Sequence, residues 1–175
     1  MIGSPEVNKV IRKIISPELR TVGFSKVRTR NNWHYDENVV WYVMFRSVGS
    51  YFSDVTGYPS QSLTCEYGVY FTNFPPHPRP PMRTNPKADK DGLLIPKEYE
   101  CHYRRSLDVI GNQTELKESL KNPAERNRTD IWWIARDGSN IEAAIEDLKI
   151  ALITNALPDL KAVDESKILE RWCDA

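Results

Sequence analysis

Cysteine and histidine are both scarce in this sequence, with three residues of each among 175. The cysteines, Cys65, Cys101 and Cys173, lie far apart and form no C-x-x-C pair, which excludes the disulfide framework of small secreted domains. Together with the histidines they also lack the spacing of zinc ligands. We therefore expect reduced thiols, no metal site and no cofactor.

The sequence has no excess of either charge and no long apolar run. Lys and Arg number 24 and Asp and Glu number 24, which excludes a protein that coats nucleic acid or anionic membranes by charge alone. The longest apolar run, Val39 to Phe45, has seven residues, whereas a spanning helix needs about 20. The N-terminus lacks the pattern of a signal peptide. We expect a cytoplasmic protein without a membrane segment, folded as one domain over 1–175.

Motifs of the common enzyme classes are missing. The sequence contains no P-loop, no G-x-G-x-x-G, no G-x-S-x-G and no H-E-x-x-H. Three histidines in no recognisable pairing offer little for acid–base catalysis. These absences leave the question of catalysis open and favour a function without it.

What is present is an alternation of helix and strand patterns. Ser4 and Pro5 predict the start of a helix, and Pro17 is expected to end or bend it at Ser16. Ser139 or Asn140 is expected to cap a second amphipathic helix. Pro158 should close that helix, and a last short helix is expected over 165–172, with another near 115–120.

Between these helices, β-branched and aromatic residues predict strands. Short connections between them imply antiparallel pairing. The fold class is therefore α+β, an antiparallel sheet of about five to seven strands with the N- and C-terminal helices packed on one face. A loop is expected over 49–61, and the strands are expected over 24–30, 33–35, 38–48, 63–74, 98–105 and 131–134.

The most biased segment is rich in proline. Residues 75–86, PPHPRPPMRTNP, hold six of the twelve prolines, a density that permits neither helix nor sheet. We expect a proline-rich loop over about 75–98. Because such a loop is stiff, it loses little entropy when it binds a partner.

A succession of short motifs runs along most of the chain, from about Val7 to Leu160. The motifs are Gly23-Phe24, a basic strand with Arg28, Arg30 and Trp33, then Gly68-Val69-Tyr70, Cys101-His102-Tyr103-Arg104, Trp132-Trp133 and Leu157-Pro158. Together they resemble an uncharacterised bacterial family of domains of unknown function. The resemblance implies no established activity and no catalytic residues. It implies a small bacterial accessory protein, with an immunity-type role as one alternative.

Two clusters are candidate binding sites. On a strand, His102 and Arg104 would point to one face and could bind an anion or a carboxylate, with Tyr103 and Trp133 as neighbours. The competing interpretation is that this histidine and arginine are fixed by local hydrogen bonds at a sheet surface. One of Trp132 and Trp133 should be in the core, and the other could mark an interface.

The second cluster mixes cations with aromatic side chains. Arg28, Arg30, Trp33 and Tyr35 could stack on and neutralise single-stranded nucleic acid. The same residues could equally form an ordinary solvated strand that leads into a core aromatic. The charge balance makes nucleic acid the less favoured partner.

The zero net charge is the sum of unequal parts. Residues 1–50 carry eight basic and four acidic residues (+4), residues 51–136 twelve and eleven (+1), and residues 137–175 four and nine (−5). Either the basic first helix neutralises the acidic last third, or the acidic end attracts a basic partner. The leading hypothesis is protein binding as an accessory or immunity-type domain, the second is anion or small-molecule binding, and the third is nucleic-acid binding.

Overall fold

A computed structural model describes residues 2–74, 85–166 and 168 of the protein. Five helices and five strands follow one another along these residues. The helices are α1 (Ser4–Thr21), α2 (Ser50–Thr56), α3 (Thr114–Glu118), α4 (Ile141–Ala151) and α5 (Leu157–Ala162). The strands are β1 (Lys26–Arg28), β2 (Asn31–Tyr35), β3 (Val39–Ser47), β4 (Leu63–Phe71) and β5 (Tyr103–Ser106).

The strands form one antiparallel sheet in the order β1-β2-β3-β4-β5. The α+β class predicted from the sequence is confirmed, with five strands, at the low end of the expected number. Because consecutive strands are neighbours, each pairing follows directly from the chain order. No helix among the described residues is long and apolar enough to cross a membrane.

The main core lies between α1, α4 and one face of the sheet, which we name the helix face. Alternate residues of β3 and β4 point into it, among them Val43, Phe45, Cys65 and Val69. The first helix contributes a stripe at helical spacing, and α4 contributes Ala144, Ile145, Leu148 and Ala151. The N- and C-terminal helices thus pack on the same face, as expected.

The opposite face of the sheet, the outer face, is crossed by residues 87–101, which we name the strap. Two aromatic side chains of β2 anchor it. The Trp33 Nε1–H donates to the Pro96 carbonyl at 2.9 Å, and the Tyr35 hydroxyl donates to the Leu94 carbonyl at 2.8 Å. Lys26 of β1 and Asp89 of the strap form a buried ion pair. A second apolar cluster therefore lies beneath the strap.

Pro17 does not end the first helix at Ser16, which was one of the two alternatives expected there. The helix runs from Ser4 to Thr21 with Pro17 inside it. Ile11, Ile15 and Leu19 are fully or almost fully buried on both sides of the proline. Burial of each such side chain stabilises the fold by about 1.5–3 kcal/mol. The three contributions together outweigh the cost of about 3 kcal/mol for a proline within a helix.

Replacing Pro17 with alanine is therefore expected to raise the free energy of unfolding. Alanine restores the missing backbone N–H, and the net gain is about 2 kcal/mol after the larger entropy of the unfolded chain is subtracted. Chemical denaturation measures it. The matched control is Pro5→Ala in the first turn, where a proline breaks no hydrogen bond and little change is expected. Equal effects at both positions would contradict the prediction.

Other boundaries also differ from those expected. The loop over 49–61 contains α2, because Gly49 and Gly57 at its two ends adopt positive φ angles of 83° and 94°. The expected strand over 131–134 is reduced to a single bridge between Trp132 and Leu63. The side chains of Gln61 and Ser62 form hydrogen bonds with the Ile134 backbone instead. They hold this segment close to the sheet without a ladder of backbone hydrogen bonds.

The strand expected over 98–105 begins later, and the last long helix ends differently. Residues Glu98–Glu100 form a 3-10 turn, and β5 starts only at Tyr103. Pro158 does not close α4, because a π-helical turn over Leu152–Ala156 leads into α5, where a proline is tolerated in the first turn. Residues 75–84 of the proline-rich loop, and most of the helix expected over 165–172, lie outside the described residues.

Candidate functional site

Charged side chains gather on the outer face, beside the strap. Arg46 and Glu66 lie on this face in adjacent strands, because Arg46 pairs with Thr64 and Met44 with Glu66. One nitrogen of the Arg46 guanidinium is 3.9 Å from the Glu66 carboxylate, and the other is 3.3 Å from Glu98 of the strap. The register of β3 with β4, together with the strap, therefore brings these three side chains into one ion-pair network.

A second ion pair extends this network towards α2. Arg128 binds Asp130 through two parallel hydrogen bonds of 2.8 and 2.6 Å, and Glu125 at 3.4 Å. Bidentate pairing of this kind is strong and specific in geometry. These carboxylates hold the pKa of Arg128 above its ordinary value, and Arg128 holds the pKa of Asp130 below its own. The Arg128 guanidinium also lies 5.2 Å from the ring centre of Phe52.

We name this surface the charged groove. It contains two open cavities of about 160 and 350 Å³, and Glu66 lines both. The smaller cavity extends to Phe52 of α2, and the larger extends to the edge of β5. The groove comprises Arg46, Glu66, Glu98, Arg104, Arg128 and Asp130.

Glu66 is the least satisfied of the carboxylates in the groove. Burial raises its pKa, and this effect outweighs the opposite effect of Arg46. No hydrogen-bond donor contacts its carboxylate among the described residues, and Arg46 approaches only to 3.9 Å. A half-buried carboxyl group with a perturbed pKa in a cleft is a recognised indicator of a functional site.

The variant Glu66→Gln is expected to be more stable than the wild type near pH 7. The unfolded chain ionises this group near the ordinary pKa of 4.5, whereas the folded state ionises it at a higher pH. Stability is therefore lost as pH rises from the unfolded to the folded pKa, and glutamine removes that loss. Urea denaturation near pH 7 and near pH 3 measures the difference.

A second carboxyl group, that of Glu142, provides a control for the direction of this change in stability. Lys13 holds the pKa of Glu142 below its ordinary value, so Glu142→Gln is expected to produce no stabilisation near pH 7. The stabilisation by Glu66→Gln should disappear near pH 3, where the Glu66 carboxyl group, whose pKa is raised by folding, is protonated in both states. A stabilisation by Glu66→Gln that is equally large near pH 3 would contradict the prediction.

Helix α2 places exposed apolar side chains beside the groove. Tyr51 is 83% exposed and Val55 52%. They lie one turn apart, and Phe52 between them in sequence lines the smaller cavity. An isolated exposed apolar side chain needs no explanation, but an exposed tyrosine on a helix that borders arginines through Phe52 matches the tyrosine and arginine content of binding hot spots.

The four residues predicted to bind a ligand lie in different surroundings. His102 is buried, and its Nδ1 accepts a hydrogen bond from the Phe71 N–H at 3.0 Å. The Tyr103 hydroxyl donates to Asp159 on the helix face, at 2.5 Å. Trp133 is buried against Tyr58. Of the four, only Arg104 faces the charged groove, and ligand binding at them stays a prediction.

The four residues predicted to bind nucleic acid are divided between the two faces. Trp33 and Tyr35 lie beneath the strap, which bonds to both of them. Arg28 is exposed, 5.7 Å from the ring centre of Trp33. Arg30 is half-buried and donates to Asn8 of α1 at 2.5 Å. A base could stack on Trp33 only if the strap moved, so nucleic-acid binding stays a prediction.

The described cysteines are buried. Burial raises the pKa of both Cys65 and Cys101, which keeps them as thiols rather than nucleophilic thiolates. Within the described residues, no group of three or more potential metal ligands lies together.

Most of the groove was not predicted from the sequence. A signal was available, because Arg46 and Glu66 are charged residues that interrupt otherwise apolar strands at positions facing away from the core. Such an interruption indicates a polar surface. What it does not indicate is that the two side chains are neighbours, since this depends on the register of β3 and β4.

The fold and the groove define a small two-layer α+β protein whose outer face is polar at one end. Residues 15–162 match the model of the family described as "Domain of unknown function (DUF4304)". The chain therefore belongs to this family, which confirms the resemblance drawn from the sequence motifs. No curated protein and no solved structure matches the chain significantly.

Proposed function

We propose that the protein is a protein-binding accessory domain that docks a partner on the charged groove and on the exposed face of α2. One observation carries this proposal, namely the exposure of Tyr51 and Val55 on the helix whose Phe52 lines the groove together with Arg46 and Arg128. Tyrosine and arginine are enriched at binding hot spots because they combine large contact area with directed hydrogen bonds.

The exposure of the ion pairs supports an acidic partner. The Arg46 side chain is 55% exposed, while its partners Glu66 and Glu98 are only 27% and 14% exposed. Arg105, also 55% exposed, likewise covers Asp159, which is 30% exposed. An approaching molecule thus meets guanidinium groups before carboxylates. Complementary charge speeds encounter and selects partners.

The acidic last third of the chain is partly neutralised within the molecule, which supports the choice of an acidic partner. Glu142 pairs with Lys13 at 2.7 Å, Asp159 lies 4.0 Å from Arg105, and Glu146 pairs with Lys149. Of the two interpretations of the charge gradient, internal neutralisation therefore has direct contacts in its favour. An immunity-type role, with a toxin as the acidic partner in a bacterial cytoplasm, is the finer form of the proposal.

Site-specific photo-crosslinking in the source cell, followed by affinity measurement, tests the proposal. A photoreactive residue at position 51 should capture one protein reproducibly, and the same residue at the exposed position Arg12 of α1 should not capture it. Capture is only the first step. With the purified partner, Tyr51→Ala and Arg46→Ala should each weaken binding at least tenfold, which corresponds to about 1.4 kcal/mol.

The control variant is Arg12→Ala, which also removes an exposed arginine but lies away from the groove. Its affinity for the partner should equal that of the wild type. Unchanged affinity in Tyr51→Ala and Arg46→Ala would overturn the proposed surface. If small carboxylates or phosphate bind at Arg104 and no protein does, the second hypothesis, anion binding, replaces it.

A further inference from the structure

The edge of the sheet at β5 carries backbone groups that have no partner among the described residues. In the antiparallel ladder, alternate residues of β5 exchange hydrogen bonds with β4. Leu107 donates to the Cys65 carbonyl at 2.9 Å, and the register continues through the pair Arg105 and Tyr67. The N–H and C=O groups of the residues in between, Arg104 and Ser106, therefore point away from the sheet.

These outward groups are accessible. Arg104, Arg105 and Ser106 are all exposed, and no hydrogen bond joins the backbone of Arg104 or Ser106 to any described residue outside the sheet. The larger cavity of the charged groove, which Glu66 also lines, borders these three residues. The edge of β5 is thus continuous with the surface proposed to bind a partner.

The other edge of the sheet offers much less. Strand β1 has only three residues, and by the same alternation only Val27 directs its backbone groups outward. The side chain of its first residue, Lys26, is engaged with Asp89 of the strap. A strand could therefore be added at β5 but has little to pair with at β1.

We propose that β5 accepts an extended acidic segment of the partner as a sixth strand of the sheet. This inference rests on the proposed protein-binding function and adds the mode of binding. Arg104 lies on the outer face and Arg105 on the helix face, so the added strand meets a guanidinium group on both faces. Opposite charges on neighbouring strands stabilise the pairing, whereas like charges destabilise it.

The main-chain hydrogen bonds would supply affinity, and the two arginines would supply the preference for Glu or Asp. Exposed arginines at an edge have a competing explanation, since charged side chains also protect edges from unwanted pairing. The two explanations differ in one respect. A protected edge rejects acidic and basic segments alike, and a receptor edge distinguishes them.

Amide hydrogen exchange of the full chain, followed by NMR, tests this mode. The probe is a capped peptide with two central glutamates flanked by valine and threonine, and the matched control peptide has lysines in their place. At a free peptide concentration ten times the dissociation constant, exchange at Arg104 and Ser106 should slow about tenfold. The lysine peptide should leave it unchanged, and Arg105, already bonded to β4, should change little.

Two variants separate backbone pairing from simple charge attraction. Ser106→Pro removes one outward N–H, leaves the bonds to β4 in place and should weaken binding of the glutamate peptide at least tenfold. Protection of the Arg105 amide in this variant reports whether β5 is still formed. The double variant Arg104→Glu with Arg105→Glu should reverse the preference in favour of the lysine peptide.

Unchanged exchange at Arg104 and Ser106 with saturating glutamate peptide, or equal binding by Ser106→Pro with β5 intact, would overturn strand addition. The proposed function fails separately. If a purified partner binds the wild type and Ser106→Pro equally but loses affinity for Tyr51→Ala, protein binding stands and strand addition does not. If the glutamate peptide protects both amides and Tyr51→Ala leaves partner affinity unchanged, strand addition stands and the proposed contact through α2 does not.

Discussion

Replacing Trp132 with alanine is expected to lower the free energy of unfolding by about 5 kcal/mol. Removal of a fully buried tryptophan costs about 3–5 kcal/mol through lost burial and the cavity that remains. Trp132 has no exposed surface, and its Nε1–H donates to Asp147 at 2.7 Å. The Asp147 carboxylate would lose this donor and, within the part of the chain that the structure describes, keep the N–H groups of Ile110 and Gly111. Chemical denaturation with a two-state analysis gives the value.

Two further variants show where the loss arises. Trp132→Phe keeps most of the apolar volume but removes the N–H, so its loss should be clearly smaller than that of alanine. Tyr51→Ala removes an aromatic ring that is 83% exposed, and it should change stability by less than about 0.5 kcal/mol. A loss below about 2 kcal/mol for Trp132→Ala would mean that neighbouring side chains fill the space, contrary to this account.

Gly68→Ala is expected to lower the free energy of unfolding by about 3 kcal/mol. A methyl group at this position would lie 2.6 Å from the Tyr103 carbonyl oxygen and 2.8 Å from Cys101 Cβ. Tyr103 is held by the pairing of β4 with β5, and Cys101 is buried in the apolar cluster beneath the strap, so neither atom can move freely. Overpacking in a rigid site costs about 1–3 kcal/mol and occasionally more.

Exchange of the Arg105 amide should become faster in Gly68→Ala, because this amide bonds to β4 and reports the opening of β5. The matched control is Gly3→Ala, whose methyl would have its nearest neighbour at 3.6 Å. A loss within about 1 kcal/mol is expected there, since alanine is a poorer N-cap than glycine. Similar losses at both glycines would contradict the role given to close approach at Gly68.

The elements that the sequence predicted well have long, consistent patterns. β3 and β4 each show nine residues in strand conformation with alternating faces, and α4 shows a helical apolar stripe. The failures have local physical reasons. Tertiary burial on both sides of Pro17 overrides its helix-breaking tendency, and two glycines with positive φ angles allow α2 to form within a serine-rich loop.

The site was less predictable than the fold because its residues come together through long-range pairing. Arg46 and Glu66 are 20 positions apart in sequence, and Glu98 reaches them only because the strap crosses the outer face. Arg104 was singled out from the sequence as a partner of His102. In the structure Arg104 lies across the groove from Glu66. His102 does not share its strand, because β5 begins one residue after the histidine.

The packing of α1 against α4 has a consequence for folding during synthesis. The ion pair between Lys13 and Glu142 joins positions 129 apart in sequence, whereas β1 to β4 pair with their immediate neighbours. The first four strands can therefore assemble early, while the part of their helix face that α4 later covers is still exposed. Roughly 80 further residues must be synthesised before α4 is complete, which takes about 4–16 s at typical translation rates. During that interval the nascent chain exposes an apolar sheet surface, and a chaperone that binds apolar segments is the expected first contact of this protein in the cell.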